Sequence, residues 1–425
     1  MSEGYNQALE AHSLALARHN TLKTFRGLYG RQQKERVMKL ETLCVQNYRS
    51  LVDVRLPLRD LVVVIGPNGS GKTALLEVFL LLQQGSQQGL SGFLEAQGGF
   101  QSILSHQAGT SEMPRFRIET EVNVQSEQSS ALMNYRFELA GRQIGYAIDF
   151  ERLEWQYNPK AEKPFRYIDA HHDRLHYADP QATGMVQPDW DYNHLELALA
   201  QVPKMYREPE ALRSTLASTR HYSFLDVSPR AVVRLPQSLT PATRPGPNGE
   251  SLYSALYNLR ASHHDIYERI EALLQQGFSN FERLEFPVVG AGQVTLAWHD
   301  HGDREPFYPN QLSEGTLRFL WLITTLLAPP APALMLIDEP EVSLHPELLK
   351  LLSALLQDAS AGSQIVIATH SPDLIRWLEP AEVLIADKEE GKTRLTWADE
   401  LNLKEWLAEY TLRDLWLMGN LGGRP

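Results

Sequence analysis

The run GPNGSGKT at residues 66–73 carries the densest chemistry in this 425-residue chain. Gly66, Gly69 and Gly71 let consecutive backbone N–H groups close around a phosphate, with Pro67, Asn68 and Ser70 between them. Lys72 is spaced to bridge the β- and γ-phosphates and the Thr73 hydroxyl to ligate Mg2+, and Ala74 leads into a helix whose N-terminus adds partial positive charge. Three later stretches supply what such a phosphate loop lacks. LMLIDEPE (334–341) ends an apolar run in Asp338, suited to hold Mg2+ through water, and Glu339, suited to polarise an attacking water; such an acid pair also serves simply to cap a helix. IVIATHS (365–371) presents His370, which can touch a γ-phosphate and sense its loss. LSEGT (312–316) sets Ser313, Glu314 and Gly315 at a helix start, a second anion site that the first loop, with a phosphate helix of its own, cannot easily share. The four stretches together predict an ATP and Mg2+ site in which Lys72, Glu339 and His370 do the catalytic work.

Elements must hold these residues. LVVVI (61–65) reads as a buried strand, and ALLEVFLLLQQ after the glycine loop has helical apolar spacing. Strand, loop and helix in that order are the context a phosphate loop requires. The runs ending at Ile337 and Ala368 read as parallel strands whose carboxyl ends face the nucleotide. Residues 114–156 alternate, as in FRIETEV and YRFELAG, and predict an antiparallel sheet. Between 190 and 280 the period turns helical in LELALAQV, PEALRSTLAS and IYERIEALLQQ, interrupted by LPQSLTPATRPGPNGE, read as a flexible loop over 236–249. HYSFLDVSPR reads as a strand leading to a loop near the site, with Arg230 a sensor or a structural arginine; residues 383–386 and 394–397 complete the sheet. The expected class is α/β: a P-loop NTPase with a mostly parallel core sheet, an antiparallel β subdomain and an inserted helical lobe. The expected division is a basic extension (1–36), a first ATPase lobe (37–156), an inserted helical lid (157–290) and a second ATPase lobe (291–425).

Composition narrows the class. A net charge of −12 argues against sequence-independent coating of nucleic acid, and the single Cys44 excludes an intrachain disulfide or a cysteine zinc cluster. No apolar run approaches the roughly 20 residues that span a bilayer, so the expectation is a soluble, cytoplasmic protein. Residues 18–39 hold seven Lys or Arg and one acid, Glu35: either a solvated helix or an arm for a phosphate backbone or an acidic partner. In DAHHDRLHYAD, residues Asp169, His171, His172, Asp173, His176 and Asp179 have spacings that could hold a metal, but a polar surface loop is the preferred reading. No heptads persist, which excludes long coiled-coil arms.

The order of the four motifs resembles the ABC-type ATPases outside transporters, the SMC, RecF and OLD-like group, with the bacterial AAA-like ATPases associated with RecF and phage-defence operons. DEPEVSLHPELL and YTLRDLWLMGNLGG carry the resemblance furthest, over residues 37–110 and 305–425; SEGT stands where transporters have SGGQ. The resemblance implies a homodimer or higher oligomer sandwiching ATP, with Ser313 and Gly315 of one copy capping the γ-phosphate bound by the other. Glu341 and residues 343–345 then form a subunit-facing loop. It also implies that one glutamine of Gln97, Gln101 and Gln107 reaches Mg2+, with Gln101 preferred, and that Arg49 in NYRS reaches the nucleotide unless it only pairs with an acid. Only 55 residues follow His370 here, so no OLD-type nuclease domain is expected. The implied function is an ATP-driven switch controlling a separate effector protein, with anti-phage defence as its setting. Two alternatives stay open: a DNA-binding repair clamp using residues 18–39, or an assembly scaffold with little turnover.

Overall fold

A computed structural model describes residues 38–106, 114–126, 129–156, 163–172, 174–182, 184–403 and 405–422. Residues 18–37 of the basic stretch, Gln107 and Asp173 lie outside the described residues.

The chain opens with a hairpin, β1 (Met38–Tyr48) and β2 (Leu51–Pro57), then β3 (Leu61–Ile65), the glycine loop and α1 (Lys72–Gly85). Two short helices, α2 (Leu90–Ala96) and α3 (Phe100–Ile103), lead to β4 (Arg115–Ser126), β5 (Ser129–Gly141), β6 (Tyr146–Gln156), β7 (Phe165–His171), β8 (Arg174–Ala178) and β9 (Met185–Val186). The middle of the chain holds α4 (Ala198–Gln201), α5 (Arg207–Ala217), β10 (Arg220–Tyr222), β11 (Gln237–Ser238), α6 (Leu252–Ser262), α7 (His264–Gly277), β12 (Phe281–Glu285), β13 (Val288–Gly290), β14 (Gln293–Val294) and β15 (Ala297–Asp300). It closes with α8 (Glu314–Leu327), β16 (Leu334–Asp338), α9 (Pro346–Ala359), β17 (Gln364–Ala368), α10 (Pro372–Ile375), β18 (Val383–Glu389), β19 (Lys392–Trp397) and α11 (Leu412–Leu417).

Two sheets dominate. The core sheet has the order β10-β16-β17-β3-β18-β19, parallel except for β19. Its central strand β3 is buried along its whole length, as a β-branched run covered on both faces must be. The period of two sends Val62, Val64, Leu336, Val366 and Leu384 to one face, against α1 and the antiparallel sheet. It sends Val63, Ile65, Ile337, Ile367 and Ile385 to the other, against α6 to α9. Each such side chain contributes about 1.5–3 kcal/mol by leaving water, so both halves hold the strand that feeds the glycine loop.

The second sheet, β2-β1-β4-β5-β6-β7-β8-β9, is antiparallel throughout. Phe116, Ile118, Tyr135, Phe137 and Leu153 face the core, while Arg166 and Glu154 (2.9 Å) and Arg152 and Asp169 (2.9 Å) pair across strands on the other face. The sheet continues to Val186, so β7, β8 and β9 extend it where the sequence reading began a helical lid at 157. The described residues of DAHHDRLHYAD correspondingly belong to the paired strands β7 and β8 and their flanks rather than to a loop: Asp169 answers Arg152 of β6 and His172 answers Asp149 of β6, which a single-strand pattern does not reveal. Among the described residues no group of three or more His, Cys, Asp or Glu could hold a metal. The segment 236–249 is also pinned rather than flexible. Arg244 bonds the carbonyls of Thr325, Ala328 and Pro330, and Asn258 donates to the carbonyls of Thr240 (2.8 Å) and Ala242 (2.7 Å). The helical readings after residue 195 hold as α4 to α7, and HYSFLDVSPR begins as edge strand β10.

Two buried carboxylates fasten the middle segment to the rest. Glu151 on β6 accepts from Ala198 N (2.6 Å), Leu199 N (2.8 Å) and Tyr135 Oη (2.9 Å). Glu196 accepts from Leu90 N (2.8 Å) and Ser91 N (3.0 Å) at the start of α2. Among the described residues no helix is long and apolar enough to cross a membrane.

Candidate nucleotide site

Parallel strands deliver their loops to one edge, and the chemistry gathers there. A cleft of about 520 Å³ is lined by Arg49, Asn68, Gly69, Gly71, Lys72, Thr73, Ala74 and His370, together with Ser50, Ser102, Leu104, Ser105, His106, Lys388 and Gly391. Gly71, at φ 108°, starts α1 from a left-handed conformation, and a Cβ there would sit 2.2 Å from Thr393 Oγ1. A Cβ at Gly66 would lie 2.1 Å from the Ala386 carbonyl of β18. Neighbouring strands therefore press on the loop so closely that only glycine fits.

Lys72 is buried, its ammonium donating to the carbonyls of Gly66 (2.7 Å) and Pro67 (3.0 Å). Burial pulls its pKa down to about 8, against the opposing charges of Asp338, Glu339 and Glu341. Burial and the neighbouring Glu339 raise Asp338 above the usual carboxylate range, with Lys72 countering. Glu339 follows the end of β16 at φ 48°, a sparsely populated conformation for a side chain of its kind, and its N–H donates to Ala368 O (2.8 Å). Its Oε1 lies 3.9 Å from His370 Nε2. His370 is held below its ordinary pKa by burial and by the positive charge of Lys72, so the neutral ring prevails at neutral pH.

Glu341 holds the histidine loop. Its Oε1 accepts from Thr369 Oγ1 (2.7 Å) and from the His370 N–H (3.1 Å), while burial raises its pKa. The sequence placed Glu341 in a subunit-facing loop and did not reveal this bond across 29 residues.

Arg49 lines the cleft and pairs with an acid there. Nε bonds Glu77 Oε2 (2.5 Å) on α1 and Nη2 bonds Gln97 Oε1 (2.6 Å), with the backbone at φ 46°. Gln101 goes elsewhere. It is exposed on α3, its amide lies 3.4 Å from the Cβ position of Gly141, and it does not line the cleft. The nearby Ser102, Ser105 and His106 do line it, and no motif marks them.

Ser313, Glu314 and Gly315 do not line the cleft either. Ser313 caps α8, its Oγ accepting from Thr316 N (3.1 Å). Gly315 packs so near the Ser343 carbonyl that a Cβ would sit 2.5 Å away, and Ser343 Oγ donates to Glu314 Oε2 (3.4 Å). The two candidate phosphate sites of one chain are thus separate, and the second shares its corner with the loop carrying Ser343.

The hard oxygen donors of Thr73 and Asp338 suit Mg2+. Among the described residues Ser70 Oγ is buried without a hydrogen-bond partner, an orphan polar atom inside the loop that a bound anion or its metal would answer.

Comparison with known proteins bears on the fold and the family. One similar solved structure is an SMC head bound to the C-terminal winged-helix domain of ScpA, 11% identical, covering 87% of this chain and 99% of that one with a TM-score of 0.50. Another is the SMC head domain from Thermotoga maritima (11% identity, 84% and 98% coverage, TM-score 0.40). A third is an SMC head with an extended coiled coil bound to the C-terminal domain of ScpA, derived from Pyrococcus furiosus (11%, 87% and 98%, TM-score 0.47). At such identity the first of these speaks to fold alone, a P-loop NTPase of the SMC-head kind. No curated protein matches. The sequence profile described as "AAA domain, putative AbiEii toxin, Type IV TA system" matches residues 61–376, from the strand before the glycine loop to just past His370, and this chain belongs to that family of AAA-type ATPase domains.

Proposed function

We propose that this protein binds ATP with Mg2+ and hydrolyses it between two copies of itself, using closure and release of the pair to control a separate protein. One observation carries the reading. Lys72, Thr73 and His370 line a single cleft, with Asp338 and Glu339 beside it, while Ser313 and Gly315 stand outside it at the Ser343 corner. A second phosphate-binding helix start that its own nucleotide does not need fits a nucleotide held by another copy.

Lys72 exchanges the Gly66 and Pro67 carbonyls for β- and γ-phosphate oxygens, and the loop N–H groups from Gly69 to Thr73 take the remaining charge. Thr73 and Asp338 are the residues to hold Mg2+, which when bound neutralises charge on the phosphate oxygens. Glu339 orients a water for in-line attack and accepts its proton. His370, neutral and tied to Glu341, donates to the γ-phosphate and loses that partner when phosphate leaves. Ser313 and Gly315 of the second copy close over the γ-phosphate. The consequence is mechanical, because the two copies share bonds only while the triphosphate persists. A partner protein that reads this change agrees with the SMC head solved bound to a ScpA domain, and the family's description names a toxin system.

The test is Glu339→Gln with ATP and Mg2+, measured by light scattering. The expected result is a dimer mass that reverts when ATP is replaced by ADP. Monomer mass in ATP, with a monomeric nucleotide-free protein, sinks the shared-site reading. A second reading, a DNA clamp, draws on the seven Lys or Arg of residues 18–39. It predicts ATP turnover stimulated by double-stranded DNA and lost steeply as salt rises; turnover indifferent to DNA removes it.

A further inference from the structure

The β18–β19 hairpin belongs to the nucleotide site, although no motif passes through it. Its turn places Lys388 and Gly391 on the cleft wall. Its second strand is fastened to the glycine loop by Thr393, which is buried. Thr393 Oγ1 donates to the Ser70 carbonyl (2.7 Å) and sits 2.8 Å from Ser50 Oγ, which completes the chain as a donor. Thr393 N also donates to Ser50 O (2.8 Å). The same hydroxyl occupies the space where a side chain at residue 71 would go.

Sheet order says which end of a nucleotide this hairpin meets. Asp338 ends β16 and His370 follows β17, both on one side of β3, so the γ-phosphate end of the cleft lies there. β18 is the neighbour of β3 on the opposite side, with Ile385 level with Ile65. A nucleotide whose terminal phosphates lie toward β17 must run its α-phosphate and ribose toward β18 and its turn. The Lys388 side chain is exposed there and makes no hydrogen bond or ion pair among the described residues.

We propose that Lys388 is a nucleotide-binding residue that contacts the α-phosphate end of the bound nucleotide, and that Thr393 positions it by fastening the hairpin to the glycine loop. This rests on the ATP reading above. The contact is common to ATP and ADP, so its loss weakens both alike, which separates it from groups that meet the γ-phosphate.

The experiment is a titration of wild type, Lys388→Ala, Thr393→Val and Thr393→Ser with fluorescent ATP and ADP analogues in Mg2+, with thermal midpoints measured in parallel. Lys388→Ala is expected to lose about tenfold affinity for both nucleotides, the scale of one charge-assisted bond. Thr393→Val is expected to lose affinity for both as well, with Thr393→Ser restoring it at an unchanged thermal midpoint. Wild-type affinity in Lys388→Ala, or a loss confined to ATP, overturns the assignment of Lys388. A Thr393→Ser variant as weak as Thr393→Val overturns the positioning role of the hydroxyl. Wild-type protein that binds neither nucleotide overturns the ATP reading itself, and this inference with it.

Discussion

Raising the pH should release ATP from this protein well before it unfolds, because of where Lys72 sits. Burial holds the ammonium at about 8 rather than the ordinary 10.5, and phosphate contact requires the charged form. In the free protein the charged fraction falls from about 0.9 at pH 7 to about 0.1 at pH 9, whereas bound phosphate returns the pKa toward its ordinary value or above. Apparent affinity therefore drops about tenfold between these pH values, about 1.4 kcal/mol, and continues to fall about tenfold per unit until the bound-state pKa is reached. In the free protein burial and the charge of Lys72 hold His370 below its ordinary pKa. Fold stability moves the other way. Lys72 has a depressed native pKa, so the unfolded chain binds the extra proton between about pH 8 and 10.5, and stability attributable to this group rises with pH. Calorimetric titration with ATP and Mg2+ from pH 7 to 9.5, alongside far-ultraviolet circular dichroism, measures both. A flat affinity profile with intact fold would refute the account of Lys72 as a desolvated cation waiting for phosphate.

Three more perturbations test other parts of the structure. Gly71→Ala places a methyl 2.2 Å from Thr393 Oγ1 at φ 108°; nucleotide binding should vanish and thermal stability fall by about 1–3 kcal/mol, and near-normal ATP affinity would contradict the close packing. Ser313→Arg should abolish turnover while leaving ATP affinity near that of wild type, since Ser313 does not line its own chain's cleft; lost binding in an equilibrium titration would put the serine in the same chain's pocket. Glu151→Ala strands three buried donors, at about 1–3 kcal/mol each, so the urea midpoint should report a loss of about 3 kcal/mol or more, and a loss below about 1 kcal/mol would show that residues 198–199 are not held by this carboxylate.

What the sequence made legible is local in the chain. The strand, loop and helix of residues 61–85, the acid pair at the end of β16 and the histidine after β17 are each encoded within a few residues, and parallel neighbouring strands bring them to one edge of the core sheet. Gln101 shows the opposite case: three glutamines lie in one interval, and only packing against Gly141 decides where its amide points. Thr393 and Glu341 act on residues far away in the chain, the bond from Thr393 to Ser70 spanning 323 positions. Nothing in hydrophobic period or turn chemistry reports such a pairing. The edge of the antiparallel sheet was missed for a related reason. β7 to β9 are short, and the charges of β7 at Arg166 and Asp169 are answered across the ladder by Glu154 and Arg152 of β6.

The interleaved order of the core sheet has a bearing on biosynthesis. The strand feeding the phosphate loop is made first, yet both of its neighbours, β17 and β18, are made more than 290 residues later. A growing chain on the ribosome therefore holds an apolar strand with two unpaired edges through most of its synthesis, a state prone to wrong pairing. Capacity to bind nucleotide should appear late and abruptly, once β18 and β19 have emerged. The newborn polypeptide would then need a chaperone's shelter over the interval in which Leu61–Ile65 waits for its partners.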